Sequence, residues 1–202
     1  MQRGFLSFFA LALAVALAAT ATTAQIPGQG APGFTLADTA GNPVRLADFR
    51  GKYVVLEWTN PECPFVRKHY GSGNMQALQK EWGAQGVVWL AVNSTNASHP
   101  EFKTPAQMNE WMRTQGASPR ATLLDGTSET GRAYGARTTP QMFVVDPAGN
   151  VVYAGAIDDK RSANPADVKG AKNYVRAALT EALAGRSVSI ASTTPYGCSV
   201  KY

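Results

Sequence analysis

Short apolar runs that resemble buried strands alternate with helical segments through most of the chain, and this alternation restricts the fold more than any other feature. The segments between the runs carry apolar residues at helical spacing. Strands joined by helical crossovers form a sheet with helices on both faces. The sequence therefore predicts an α/β fold with a central mixed β-sheet flanked by helices on both faces. The predicted strands are 53–58, 87–92, 121–124, 141–145 and 151–154, a small strand-turn unit lies within 34–50, and the predicted helices are 64–85, a stretch beginning at 104, 127–134 and 165–184.

The first 24 residues have the layout of a secretory signal peptide. Arg3 precedes an apolar run from Phe5 to Ala19, and small residues follow. The run has about 15 residues, fewer than the roughly 20 that a membrane-spanning helix needs. We predict cleavage after Ala21 or Ala24 and a periplasmic or secreted protein. An uncleaved membrane anchor is the alternative.

The remaining chain divides into three parts. Residues 25–32 are rich in proline and glycine and are expected to form a mobile linker. Residues 33–185 form the predicted domain, and residues 186–202 form an extended, weakly structured tail that carries Cys198. No later apolar run matches the leader, so we expect no membrane contact after cleavage.

Charge and histidine content argue against two classes of function. The net charge is +5, from 19 basic and 14 acidic residues, and the basic residues are spread along the chain. We therefore predict no nucleic-acid partner. The two histidines are His69 and His99. His69 is expected to be a surface or partly packed residue on a different helix face from Cys63, so we predict no metal and no cofactor.

Cys63 is placed where a strand leads into a helix. The run 53–58 is followed by a short loop to Cys63, and Pro64 suits the first position of the next helix. Free N–H groups and the helix dipole stabilise a thiolate at such a position. The second cysteine of the chain is Cys198. The two thiols could form a redox pair, or a single permanent disulfide that fastens the tail.

Several motifs resemble those of the redoxins, which are thioredoxin-fold proteins of the alkyl hydroperoxide reductase/thiol-specific antioxidant superfamily. The motifs are Ala31–Leu36, Leu56–Tyr70 and Tyr134–Gly149. The ending Gly197–Tyr202 is similar to the Gly-Cys-Ser tail of the peroxiredoxin-like branch. Together they extend over nearly the whole mature chain.

The resemblance implies roles for individual residues. Cys63 takes the position of the reactive cysteine, and Thr139 and Pro140 take the positions of the cis-proline pair beside it. Backbone before that proline can pair with an extended peptide. Glu57 lies near the position of a buried carboxylate that assists proton transfer, which requires burial to raise its pKa.

Two departures from the family pattern limit what the resemblance implies. Thioredoxins carry two cysteines two residues apart, whereas Asn60 and Val66 occupy the partner positions here, so a local dithiol is excluded. Peroxiredoxins place a threonine three residues before their cysteine and an arginine over it. Asn60 and Pro140 occupy those places, although Thr59 and Arg137 lie near enough to substitute.

Three functions remain open at this point. The favoured one is a thiol-disulfide oxidoreductase that uses Cys63, with Cys198 as resolving cysteine and with an external thiol/disulfide electron donor or a protein thiol substrate. The second is a thiol peroxidase that reduces a hydroperoxide through a sulfenic acid on Cys63. The third is a non-catalytic binding module in which a Cys63–Cys198 disulfide is structural.

Overall fold

A computed structural model describes residues 27–202, so the predicted signal peptide lies outside the described residues. Seven strands form one sheet in the order β2-β1-β5-β4-β3-β7-β8, and β6 pairs with β9 in a second, two-stranded sheet. The strands are Thr35–Asp38 (β1), Pro43–Arg45 (β2), Val54–Trp58 (β3), Val88–Asn93 (β4), Ala121–Leu124 (β5), Thr138–Thr139 (β6), Gln141–Val145 (β7), Val151–Gly155 (β8) and Cys198–Ser199 (β9).

The centre of the large sheet is buried on both faces. Every residue of β3, β4 and β7 is buried, which explains why their sequences are nearly continuous apolar runs. β3 pairs in parallel with β4 and antiparallel with β7. β7 continues into β8 through an antiparallel hairpin. The sheet is thus mixed, as predicted.

Helices cover both faces and divide the core in two. One cluster packs α1, α2, α3 and α5 against the sheet, and the other packs the end of α4, the first strands and the aromatic residues Trp58, Tyr134 and Phe143. The predicted α/β class with helices on both faces is confirmed. The helices are Pro64–Gly71 (α1), Asn74–Gly83 (α2), Pro105–Thr114 (α3), Glu129–Ala133 (α4) and Tyr174–Leu183 (α5), with 3-10 turns at Leu46–Phe49 and Pro165–Gly170.

Two of the predicted helices are each divided. The segment 64–85 breaks between α1 and α2, where Gly73 adopts a φ of 75° that a side chain would disfavour. The segment 165–184 contains the 3-10 turn Pro165–Gly170, and α5 starts anew after the N-cap Asn173. By contrast, the capping box predicted at Thr104 is present, with reciprocal bonds to Gln107.

Both flanking segments pack on the domain. Residues 28–31 exchange backbone hydrogen bonds with residues 149–151, where the sequence suggests a mobile linker. The tail is extended as expected, but it is not weakly structured. The backbone of Ala191 and Thr193 in the tail is hydrogen-bonded to the backbone of Ala154 in β8, and β9 pairs with β6. Among residues 27–202, no helix is long and apolar enough to cross a membrane.

Candidate active site around Cys63 and Cys198

Cys63 is the N-cap residue of α1 and is followed by Pro64 at the first helical position. Its backbone N–H donates to the carbonyl of Asn60 at 3.0 Å, which closes the loop between β3 and α1. The residue is only 1% exposed. Its thiol donates to the backbone carbonyl of Thr139 at 2.9 Å. A thiol at a helix N-terminus is therefore held against the strand that precedes Pro140.

The peptide bond between Thr139 and Pro140 is cis. Thr139 belongs to β6, and both residues are buried. The structure thus brings together Cys63, Thr139 and Pro140, which the resemblance assigned to one site.

Cys198 completes the group from the opposite strand. It is the register partner of Thr139 in the antiparallel pair of β6 and β9. Both cysteines are free thiols, and Cys198 is partly exposed whereas Cys63 is buried. Burial, followed by the nearness of the Cys63 thiol and the negative charge that it can carry, raises the pKa of Cys198 to about 12. Cys198 therefore keeps its proton near neutral pH.

Glu57 of β3 lies beneath the same helix but hydrogen-bonds other residues. Its carboxylate accepts from the Tyr70 hydroxyl at 2.8 Å and from the Trp89 indole at 2.8 Å, and Gln79 lies at 3.5 Å. Burial raises the pKa of Glu57 to about 7, although these donors act in the opposite direction. Since Tyr70 belongs to α1, Glu57 ties the sheet to the helix that carries Cys63.

Thr59 and Arg137, the other possible supporting residues, have different surroundings. Thr59 is buried, and its carbonyl accepts from the side chain of Asn93 at 3.0 Å. Arg137 is exposed, and its backbone carbonyl accepts from Val200 in the tail. Asn60 donates to Glu101 at 2.7 Å and accepts from the backbone N–H of Glu62. Arg137 is thus exposed, whereas Cys63 is buried.

A buried polar cluster next to the site was not predicted from the sequence. Lys68 and Asp158 are both buried, with Nζ and Oδ2 3.7 Å apart. The Tyr196 hydroxyl donates to Asp158 Oδ1. Lys68 also donates to the carbonyl of Lys160 at 2.7 Å. The cluster joins α1, the loop after β8 and the tail two residues before Cys198.

His69 belongs to this cluster, which corrects the expectation of a surface or partly packed residue. It is fully buried, because the loop after β8 and the tail cover this part of α1. Its Nε2 lies 3.3 Å from the Tyr196 hydroxyl, and its Nδ1 contacts Asn74 at 2.9 Å. Burial, and then the charge of Lys68, lower the pKa of His69 to about 3. The neutral imidazole leaves Lys68 as the positive partner of Asp158.

Metal binding has no support in the described part of the chain. Within residues 27–202, no group of three or more His, Cys, Asp and Glu side chains is arranged to hold a metal ion.

Comparison with known proteins gives a family match and named relatives. The AhpC/TSA family matches residues 27–154. The thiol-disulfide oxidoreductase ResA of Bacillus subtilis (strain 168) is 29% identical over 125 residues, which are 62% of this chain and 64% of that protein. The chain therefore spans slightly less than two thirds of the length of this relative.

Solved structures support the fold. An uncharacterized conserved protein from Geobacillus kaustophilus has a TM-score of 0.77 at 31% identity, over 87% of this chain and 92% of that chain. The thioredoxin domain of a thiol-disulfide oxidoreductase from Bacteroides vulgatus has a TM-score of 0.53 at 22% identity, over 73% of this chain and 98% of that chain. The predicted thioredoxin-like fold is confirmed.

Proposed function

Because the chain belongs to the AhpC/TSA family, we propose that it is a thiol-disulfide oxidoreductase in which Cys63 is the nucleophile and Cys198 the resolving cysteine. One observation carries the proposal: Cys198 lies opposite Thr139 in the strand pair, and the backbone carbonyl of Thr139 accepts from the Cys63 thiol, so the two cysteines flank the same residue. Two cysteines placed in this way can form a bond when β9 is seated on β6. Relatives named thiol-disulfide oxidoreductases are consistent with the same chemistry.

The cycle starts from the free dithiol. The Cys63 thiolate attacks a substrate disulfide, forms a mixed disulfide and releases one substrate thiolate. The Cys198 sulfur then attacks the Cys63 sulfur, forms the Cys63–Cys198 disulfide and releases the second substrate thiolate. The protons of the two protein thiols pass to the two released thiolates. The substrate disulfide is reduced, the protein dithiol is oxidised, and an external dithiol donor restores it by the reverse exchange.

The surroundings suit this order of events. Cys63 lies at the N-terminus of α1, where the helix dipole favours a negative charge on its sulfur. The high pKa of Cys198 keeps the second thiol protonated until Cys63 is consumed. A carboxylate with a pKa of about 7, that of Glu57, can exchange a proton near neutral pH and lies under the same helix.

A hydroperoxide substrate has less support. The position three residues before the cysteine holds Asn60, whose amide bonds Glu101 and the Glu62 backbone. The Arg137 side chain is exposed. Because the Asn60 side chain is engaged with these partners and Arg137 is exposed, neither residue supports polarisation of a peroxide at Cys63.

The proposal also includes export. The leader of residues 1–24 has the layout of a signal peptide, which would place the domain in an oxidising compartment. Its electron donor would then be an extracytoplasmic dithiol, and protein disulfides would be its substrates.

Single-cysteine variants test the function. Reduced wild type, Cys63→Ser and Cys198→Ser would be mixed with a disulfide-bonded polypeptide and, separately, with hydrogen peroxide. We expect the reduced wild type to reduce the substrate disulfide once per molecule and to become the Cys63–Cys198 disulfide. Mass spectrometry should find a trapped mixed disulfide on Cys63 in Cys198→Ser and no reaction in Cys63→Ser. Faster oxidation by peroxide than by the disulfide would favour the peroxidase. Absence of reaction with both oxidants would contradict the proposal and favour a binding module.

A further inference from the structure

The tail occupies the strand edge beside the cis peptide. In β9, Ser199 is the register partner of Thr138, and Cys198 is the partner of Thr139. The edge before a cis-proline is also where an extended substrate peptide could pair its backbone. The chain's own strand therefore fills a surface that could otherwise receive another polypeptide.

Gly197 shows how closely the tail approaches this edge. Its φ is 141°, and a Cβ at this position would lie 2.0 Å from the carbonyl oxygen and 2.7 Å from the carbonyl carbon of Thr139. Real Cβ atoms do not come so near to backbone atoms, so any side chain here would push the tail outward. Seating of β9 on β6 requires glycine at position 197.

The tail is also fitted to the domain at two distant points. A Cβ on Gly155 of β8 would lie 2.5 Å from the carbonyl oxygen of Thr193. A Cβ on Gly131 of α4 would lie 2.7 Å from the hydroxyl of Tyr202. Contact over this length indicates a dedicated position for the tail rather than one chance contact.

Tyr196 fixes the tail immediately before Gly197. It is 6% exposed, and its hydroxyl bonds the buried carboxylate of Asp158. Its ring packs edge-on against Phe65 of α1, with centroids 5.9 Å apart. If the tail left, the Tyr196 hydroxyl and the Asp158 carboxylate would each hydrogen-bond water instead.

We propose that β9 is an internal occupant of the peptide-docking edge at Thr138–Thr139, and that Cys63 meets an external polypeptide only after this strand is displaced. The part that concerns a polypeptide disulfide rests on the proposed function. In the closed arrangement Cys63 is 1% exposed, and the thiol that solvent reaches is that of Cys198. The external partner is an extended, disulfide-bearing segment that takes the place of β9 on the same edge.

Alkylation of the reduced full-length protein tests the displacement step without any turnover. A short pulse of iodoacetamide is followed by peptide mass analysis, which reports Cys63 and Cys198 separately. The test variant is Gly197→Ala. The matched control is Gly170→Ala, since a Cβ at Gly170 has nothing within 4 Å. Tyr196→Phe, which removes the hydroxyl bonded to Asp158, is the second test variant.

We expect Cys63 of the wild type to be labelled slowly, because the residue is only 1% exposed. Gly197→Ala should speed Cys63 labelling about tenfold or more, and Tyr196→Phe about threefold, because reactivity follows the population of the open form. Gly170→Ala should match the wild type. If Gly197→Ala does not fold, as judged by circular dichroism, Tyr196→Phe decides the question.

Equal Cys63 labelling in the wild type and in the folded test variants would overturn the displacement proposal. This outcome is separable from failure of the proposed function. Faster Cys63 labelling in the test variants without any disulfide exchange would contradict only the proposed function. Disulfide exchange with equal Cys63 labelling in all variants would contradict only the role of the tail.

Discussion

The pair Lys68–Asp158 should be among the most sensitive places in the molecule. The side chains are 0% and 1% exposed, so Asp158→Ala would leave a buried ammonium group without its carboxylate. Loss of one partner of a buried ion pair costs about 3 to 5 kcal/mol of unfolding free energy. The Tyr196 hydroxyl and the backbone N–H of Lys160 would also lose their acceptor. We expect a loss of about 4 kcal/mol, or a Tm lower by about 10 °C for a domain of this size.

Urea unfolding followed by tryptophan fluorescence measures this loss. The matched control is Asp48→Ala, because Asp48 pairs with Arg45 on the surface at 45% and 64% side-chain exposure. An exposed pair contributes little, so the control should change the unfolding free energy by less than about 1 kcal/mol. Lys68→Met adds a double-mutant cycle, and it should couple to Asp158→Ala by about 1 to 3 kcal/mol. A loss in Asp158→Ala no larger than that in the control would refute the assignment of a stabilising buried pair.

Two further predictions concern pH and helix capping. The pKa of Glu57 is raised from 4.5 to about 7, so the folded protein holds this proton more tightly than the unfolded chain. The stability tied to that proton is full below about pH 4.5 and falls by roughly 3 kcal/mol as pH rises through about 7. Glu57→Gln should flatten this part of the curve in unfolding titrations between about pH 5 and pH 8, and an unchanged slope would contradict the burial argument. Thr104→Ala should lower the unfolding free energy by about 1 kcal/mol through loss of the N-cap bond to Gln107, whereas no change in urea midpoint would show that the cap adds nothing.

Much of the fold could be predicted because its signals are local. The strand cores are apolar runs that end near the predicted residues, and the capping box at Thr104 is written in four consecutive residues. The break at Gly73 was missed because apolar spacing continues across it, from Tyr70 in α1 to Leu78 in α2. The spacing of apolar residues alone does not show that one residue, Gly73, breaks the helix at a positive φ.

The site was predicted only in part, for a similar reason. Cys63 and Pro64 form a local signal, and motif resemblance supplied Thr139 and Pro140. The cluster of Lys68, His69, Asp158 and Tyr196 joins three segments that are distant in sequence. Lysine and aspartate are mostly exposed types, and the position of His69 on the helix, away from the face of Cys63, predicted a surface or partly packed residue. The closing of the tail over α1 buries them, and no local pattern encodes that packing.

The positions of the two thiols link redox state to resistance against unfolding. Strands β4 to β8 and all five α-helices named above lie between Cys63 and Cys198 in the chain. A disulfide between them would close a loop of more than about 100 residues. The entropy that the denatured chain loses would stabilise the folded state by about 5 kcal/mol. Each oxidation would make the domain harder to melt and to digest with proteases, and each reduction would reverse the change. Heat or protease resistance would thus report which half of its cycle the protein occupies.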